Sequence, residues 1–281
     1  MKFSRRNFLR LSGTGILASQ APLVLAFSNN TGQKKDFPIP FKLGIASYTF
    51  REFTLKETIA MTQRLEITML ALKSMHLPLD ATAEQIQLVG SKVREAGIEL
   101  YGAGVIYMKT KEEVDTAFEY AKQANLTTII GVPEYELLEY CSQKVQEYDI
   151  ILAIHNHGPD NQTFQSPKSV YERVKDLDWR MGLCVDIGHT QRLGQDPIEE
   201  TKKYMDRVFD IHIKDVDRSD ADGSTLELGH GVIDIPGFLK MLIKENYQRV
   251  VSFEYEKDEK DPLPGLAESV GYVRGVLETI K

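Results

Sequence analysis

From Phe41 onward one rhythm repeats: a short apolar run, then a longer amphipathic stretch. The apolar runs read as strands at 42–48 (KLGIASY), 67–74, 98–105, 126–132, 149–157, 181–187, 208–215 and 249–256. Between them, "TLKETIAMTQRL", "TAEQIQLVGSKVREAG", "KEEVDTAFEYAKQA" and "IPGFLKMLIKENY" carry helical spacing. Several open on a Thr, Ser or Asp cap, and one closes at Gly97. Strands joined by helical crossovers run parallel. Eight such units predict a single-domain α/β fold, a closed (β/α)₈ TIM barrel over residues 41–281. A doubly wound sheet shares the alternation, but the count and the placement of the polar residues favour the barrel.

Active sites in such barrels form where the strands end. Here the late runs end in residue types that bind metals or move protons. The fifth ends in His155 and His157, and the sixth in Asp186 with His189 just beyond. The seventh ends in His212 and Lys214, and the eighth in Glu254 and Glu256. Alternate residues of a strand share a face. Ala153, His155 and His157 therefore oppose Ile150, Leu152 and Ile154, while Gly182, Cys184 and Asp186 oppose Leu183, Val185 and Ile187. Asp210, His212 and Lys214 oppose Phe209, Ile211 and Ile213, and Ser252, Glu254 and Glu256 oppose Val251, Phe253 and Tyr255. The small and polar set suits a barrel interior, and the bulky set suits packing beneath helices.

Two imidazoles and two carboxylates converging from four strands make a site for one divalent metal ion. His155, Asp186, His212 and Glu254 are the expected ligands, and mixed nitrogen and oxygen donors suit Mn²⁺, Co²⁺, Zn²⁺ or Fe²⁺ better than Ca²⁺. Such an ion polarises a carbonyl or stabilises an enediolate-like anion. His157, His189 and Lys214, with Glu254 in a second role, are the expected proton-handling groups. His76, Glu256 and His230 are expected to face the substrate, His76 from the end of the second strand and His230 from a glycine-rich loop. Each of these has a plainer reading as a hydrogen-bonded or solvated residue, as does Glu134 at a helix start. Four candidate ligands on four successive strands are much harder to assign to coincidence.

The chain has 281 residues and a formal charge of −7, a balance that disfavours nucleic acid as partner. Cys141 and Cys184 have no metal-type spacing and read as buried free thiols. "SRRNFLR" matches the twin-arginine export pattern, and residues 1–27 read as a signal peptide with a cleavage site near Ala26. Its apolar run is too short and too polar for a stable membrane span. Removing Lys2, Arg5, Arg6 and Arg10 and no acid leaves a still more acidic, exported and periplasmic protein, with 28–40 as a linker.

The motifs "LAIHNHG", "GLCVDIGHT", "DIHIKDVD", "GHGVIDIPGFL" and "SFEYE" resemble those of the xylose-isomerase-like TIM barrels, the sugar phosphate isomerase/epimerase superfamily. The resemblance runs from about Lys42 to the C-terminus. It implies one divalent metal held by Asp186, His212 and Glu254, with His189 and Lys214 facing the substrate. It implies proton transfer beside a carbonyl of a sugar or keto-sugar, as in isomerases and epimerases. Many members carry a glutamate where this chain has His155. A metal-bound imidazole does not easily serve as one of two opposed bases. That departure leaves open β-elimination on a 3-keto-glycoside by a related lyase or hydratase. A sugar-binding barrel without chemistry and a nuclease of the apurinic-site type share the scaffold; the charge and the export signal argue against the nuclease.

Overall fold

The computed structural model describes residues 39–280, so the signal and most of the linker expected at 1–40 lie outside the described residues. Eight parallel strands close into a barrel in which each pairs with its neighbours in the chain and the first with the last. They are Lys42–Ala46, Met69–Leu72, Glu99–Met108, Thr128–Pro133, Ile151–His155, Met181–Asp186, Val208–Ile213 and Val250–Phe253, called here the first to the eighth. Closure excludes the doubly wound alternative.

Local signals set the helices between them. Thr54, Thr82, Thr110 and Ser166 each accept from the backbone N–H three residues on, and the residue there returns the bond. Such caps satisfy N–H groups that the first turn leaves unpaired, each contributing about 1 kcal/mol. Gly97 ends its helix at a φ of +76°, a conformation that costs glycine no side-chain clash.

The expected two faces are present. Leu70, Leu72, Ile129, Leu152, Ile154, Leu183, Val185, Ile211, Ile213, Val251 and Phe253 pack outward in the core beneath the helices. A smaller cluster of Met69, Ala71, Tyr101, Ile130, Ala153, Cys184, Phe209 and Val250 fills the barrel interior. Phe209 corrects the expectation, which set it on the outer face. Leu183 pairs with Val208 and Cys184 with Asp210, so the seventh strand bulges at Phe209 and turns the ring inward. Gly182 makes the room, because a Cβ there would stand 2.4 Å from the ring.

Most strands are shorter than expected. The fifth ends at His155, the seventh at Ile213 and the eighth at Phe253. His157, Lys214, Glu254 and Glu256 therefore extend from the loops just past the strand ends, at the mouth rather than within the ladder.

Candidate metal centre

His155, Asp186, His212 and Glu254 converge at that mouth, all buried, with one donor atom from each lying within 4.8 Å of the others. His155 Nε2 lies 3.1 Å from His212 Nδ1, 3.6 Å from Asp186 Oδ2 and 3.8 Å from Glu254 Oε2. His212 Nδ1 lies 3.2 Å from Glu254 Oε2. Burying two carboxylates costs several kcal/mol each unless cations face them. Lys214 supplies one, its ammonium 3.0 Å from Asp186 Oδ2, 3.0 Å from Glu254 Oε2 and 3.2 Å from Glu256 Oε2.

The electrostatics follow from that packing. Burial pushes Asp186 and Glu254 up, but Lys214 and the imidazoles outweigh it and hold both carboxyls below their ordinary range. Burial pushes His155 down, and the two carboxylates outweigh it, raising it to about 9. His157 falls to about 3 through burial and the neighbouring His155 and His189. His189 falls to about 4 through burial, with Lys214 and His155 adding to it against the pull of Asp186. Both are neutral imidazoles near pH 7.

These residues fit a divalent cation. Asp186 Oδ1 accepts from the His189 backbone N–H at 2.7 Å, whereas buried Oδ2 has no aligned hydrogen bond and faces the centre. Two nitrogens and two carboxylate oxygens form a donor set for a first-row transition ion. Asn156, which the sequence reading passed over, ties the strand ends: its amide donates to Asp186 O and accepts from Asp186 N.

The other expected site residues divide. His157 Nδ1 lies 3.3 Å from His155 Nδ1 and its Nε2 lies 2.9 Å from Tyr107 Oη, so it braces His155. His189, Lys214 and Glu256 line one cavity of about 360 Å³ with Arg192, Ser224 and Lys257.

His76 is not among the residues lining that cavity. It is buried, with Nδ1 2.9 Å from Ser47 Oγ and Nε2 near Thr58 Oγ1, Phe50 O and Phe53 O. The carbonyls need a proton on Nε2, so Nδ1 accepts from Ser47, whose oxygen accepts from Lys73 N at 2.8 Å.

His230 is also elsewhere. Its loop wraps the buried Asp215 carboxylate, which accepts from the N–H groups of Val216, Gly229, Gly231 and Ile233. The exposed imidazole pairs with Glu268 at 2.6 Å. Glu134 precedes a short 3₁₀ turn and lines none of these groups.

Lys73, at the end of the second strand, is a mouth residue that the sequence reading missed. Its ammonium donates to Val105 O at 2.8 Å and lies 5.4 Å from the Tyr48 ring centre and 5.7 Å from that of Tyr107. Its place directly after an apolar strand was the available signal.

Comparison with known proteins agrees with this architecture. The model of the xylose isomerase-like TIM barrel family matches residues 54–276, and the chain belongs to that family. An inosose dehydratase of Mesomycoplasma hyopneumoniae (strain 7448) is 26% identical over 151 residues, 47% of this chain and 50% of that protein. The chain thus spans about half the length of the first curated relatives it matches. An inosose dehydratase of Bacillus thuringiensis (strain Al Hakam) is 23% identical over 261 residues, 80% of this chain and 81% of that protein. Among solved structures, a protein of Parabacteroides distasonis ATCC 8503 superposes with a TM-score of 0.67 at 27% identity, covering 84% of this chain and 99% of that one. The IOLI protein, solved with a zinc atom bound, superposes at 0.70 and 19% identity over 85% of this chain and 99% of its own.

Proposed function

We propose that this chain is a divalent-metal-dependent enzyme that removes a proton beside the carbonyl of a sugar or keto-sugar and then expels a leaving group from the neighbouring carbon. The reading rests on one observation above the rest: His155 Nε2 lies among the other three donor atoms, 3.1–3.8 Å from each. Its imidazole is committed to the centre and is not one of two opposed bases. Inosose dehydratases among the relatives support elimination over symmetric epimerisation.

His155, Asp186, His212 and Glu254 would hold the metal, which would supply Lewis-acid polarisation of the substrate carbonyl. Near it, neutral His189 accepts the proton from the adjacent carbon. As imidazolium, it returns that proton to the departing oxygen. The C–H and C–O bonds break, a C=C bond forms, and water or an alcohol leaves. Lys214 keeps its proton throughout, because the carboxylates around it raise its pKa, and its fixed positive charge offsets the anion that forms. Arg192, Lys257 and Glu256 offer hydroxyl-binding groups around the same cavity. With an exported, periplasmic location, the substrate is an unphosphorylated sugar, for example a 3-keto-glycoside.

The test is turnover of 3-keto-glycosides and keto-inositols by the metal-loaded protein in D₂O. The reading expects an unsaturated ketone and a released alcohol or water. Recovered substrate carrying deuterium with inverted configuration, and no unsaturated product, would return the chain to the epimerases.

A further inference from the structure

We propose that Asp210 is a positioning residue for the metal centre, holding the His212 ring so that its Nδ1 faces the ion. The inference rests on reading His212 as a ligand and goes beyond it, because Asp210 touches neither ion nor substrate.

Asp210 and His212 are alternate residues of the seventh strand, so both point into the barrel, Asp210 one layer deeper. His212 Nδ1 is the nitrogen at the centre. Its Nε2 is buried with no hydrogen-bond partner. Among the described residues, Asp210 Oδ2, 3.8 Å away, is the carboxylate oxygen within ion-pair reach of that nitrogen. An imidazole that ligates through one nitrogen needs its proton on the other, and an acceptor beneath it sets both tautomer and tilt.

The surroundings of Asp210 are ordered to the same end. Tyr101 Oη lies 3.2 Å and 3.3 Å from its two oxygens and 2.6 Å from Ser252 Oγ. A carboxylate only accepts, so the tyrosine proton goes to Asp210 and the Ser252 hydroxyl donates to Tyr101. Three strands thereby supply a directed chain, Ser252 to Tyr101 to Asp210, and His212 Nε2 lies 3.8 Å from the same Asp210 Oδ2. Asp210 itself is fully buried, as is Cys184 Sγ at 3.9 Å. Among the described residues, the cationic groups facing the acid are imidazoles, with His212 Nε2 the one in ion-pair reach. A residue chosen for barrel stability alone would be apolar at this depth.

Cobalt(II) titration of the full metal-stripped chain tests this, comparing wild type with Asp210→Ala, the isosteric Asp210→Asn, and Tyr101→Phe. The expected result is a cobalt Kd raised about 10–100-fold in Asp210→Ala, with smaller increases in the other two. At saturation, the visible spectrum of bound cobalt should also change in Asp210→Ala, because the freed ring alters the ligand field. Should the alanine variant not fold, Asp210→Asn decides by the same readouts. Affinity within twofold of wild type in every folded Asp210 variant would overturn the inference while leaving the ligand reading intact. Weaker binding with an unchanged spectrum would also overturn it, reducing Asp210 to a structural residue. A wild-type chain that binds no cobalt would remove both.

Discussion

The ammonium of Lys214 lies 3.0 Å from Oε2 of Glu254, with both side chains buried. The same nitrogen also faces Asp186, so one lysine balances two of the expected metal ligands. Lys214→Met leaves those carboxylates without that cation, and loss of one partner of a buried pair costs about 3 kcal/mol or more. In a chain of this size the metal-free Tm should fall by roughly 6 °C or more. Saturating Zn²⁺ or Co²⁺ should recover much of the loss, since the ion supplies the missing positive charge. Thermal melts with and without metal check this; an equal fall in both would mean that Lys214 acts apart from the centre.

Metal binding should expel a proton from His155. In the metal-free protein its pKa is raised to about 9, so at pH 7 it carries a proton that an incoming ion must displace. Asp186 and Glu254 are already ionised and release none. Affinity should therefore rise about tenfold per pH unit between roughly pH 6.5 and 9 and level off above. Calorimetry in buffers of differing ionisation enthalpy should count close to one proton released at pH 7. Zero protons would contradict the electrostatic account of the centre.

The protonated His155 also contributes to folding stability in the metal-free state. Its folded pKa lies above the ordinary value of 6.5, so the contribution is complete below about pH 6.5 and is lost as pH climbs through 9. Metal-free protein should melt at a lower temperature at pH 9.5 than at pH 6.5, and the metal-loaded form should show much less of this dependence.

Two histidines should separate structure from chemistry. His76→Ala removes a buried ring that holds Ser47 and, through it, the backbone of Lys73. It should cost about 1–3 kcal/mol, measured by denaturant unfolding, while cobalt stoichiometry stays at wild-type level. His230→Ala breaks an exposed ion pair with Glu268 and should change stability by no more than about 1 kcal/mol and activity not at all. A large loss of turnover in His230→Ala would place its loop over the substrate after all.

Much of this molecule was legible because barrel strands and their ends leave strong traces. Apolar runs between capped helices located the strands, and His155, Asp186, His212 and Glu254 stood out as polar residues closing apolar runs. What escaped depends on partners distant in sequence. The inward turn of Phe209 needs Gly182 on the next strand, and alternation cannot register a bulge. Asp210 is one polar residue within an apolar strand until Tyr101 and Ser252 are brought to it from two others. His76 and His230 misled because residue type alone does not say where a loop side chain points. The glycine-rich loop is shaped by Asp215, and the His76 ring by two backbone carbonyls. The polar character of strand ends survives without tertiary knowledge; the direction of loop side chains does not.

The central claim is that four side chains at the ends of four strands hold one metal ion. Elemental analysis of the purified chain, with His155→Ala and Asp186→Ala beside it, tests this most directly. The account predicts close to one equivalent of Mn, Co, Zn or Fe in the wild type and little or none in either variant. A wild type that takes up no divalent metal even on reconstitution, or a variant that keeps its full equivalent, would contradict it.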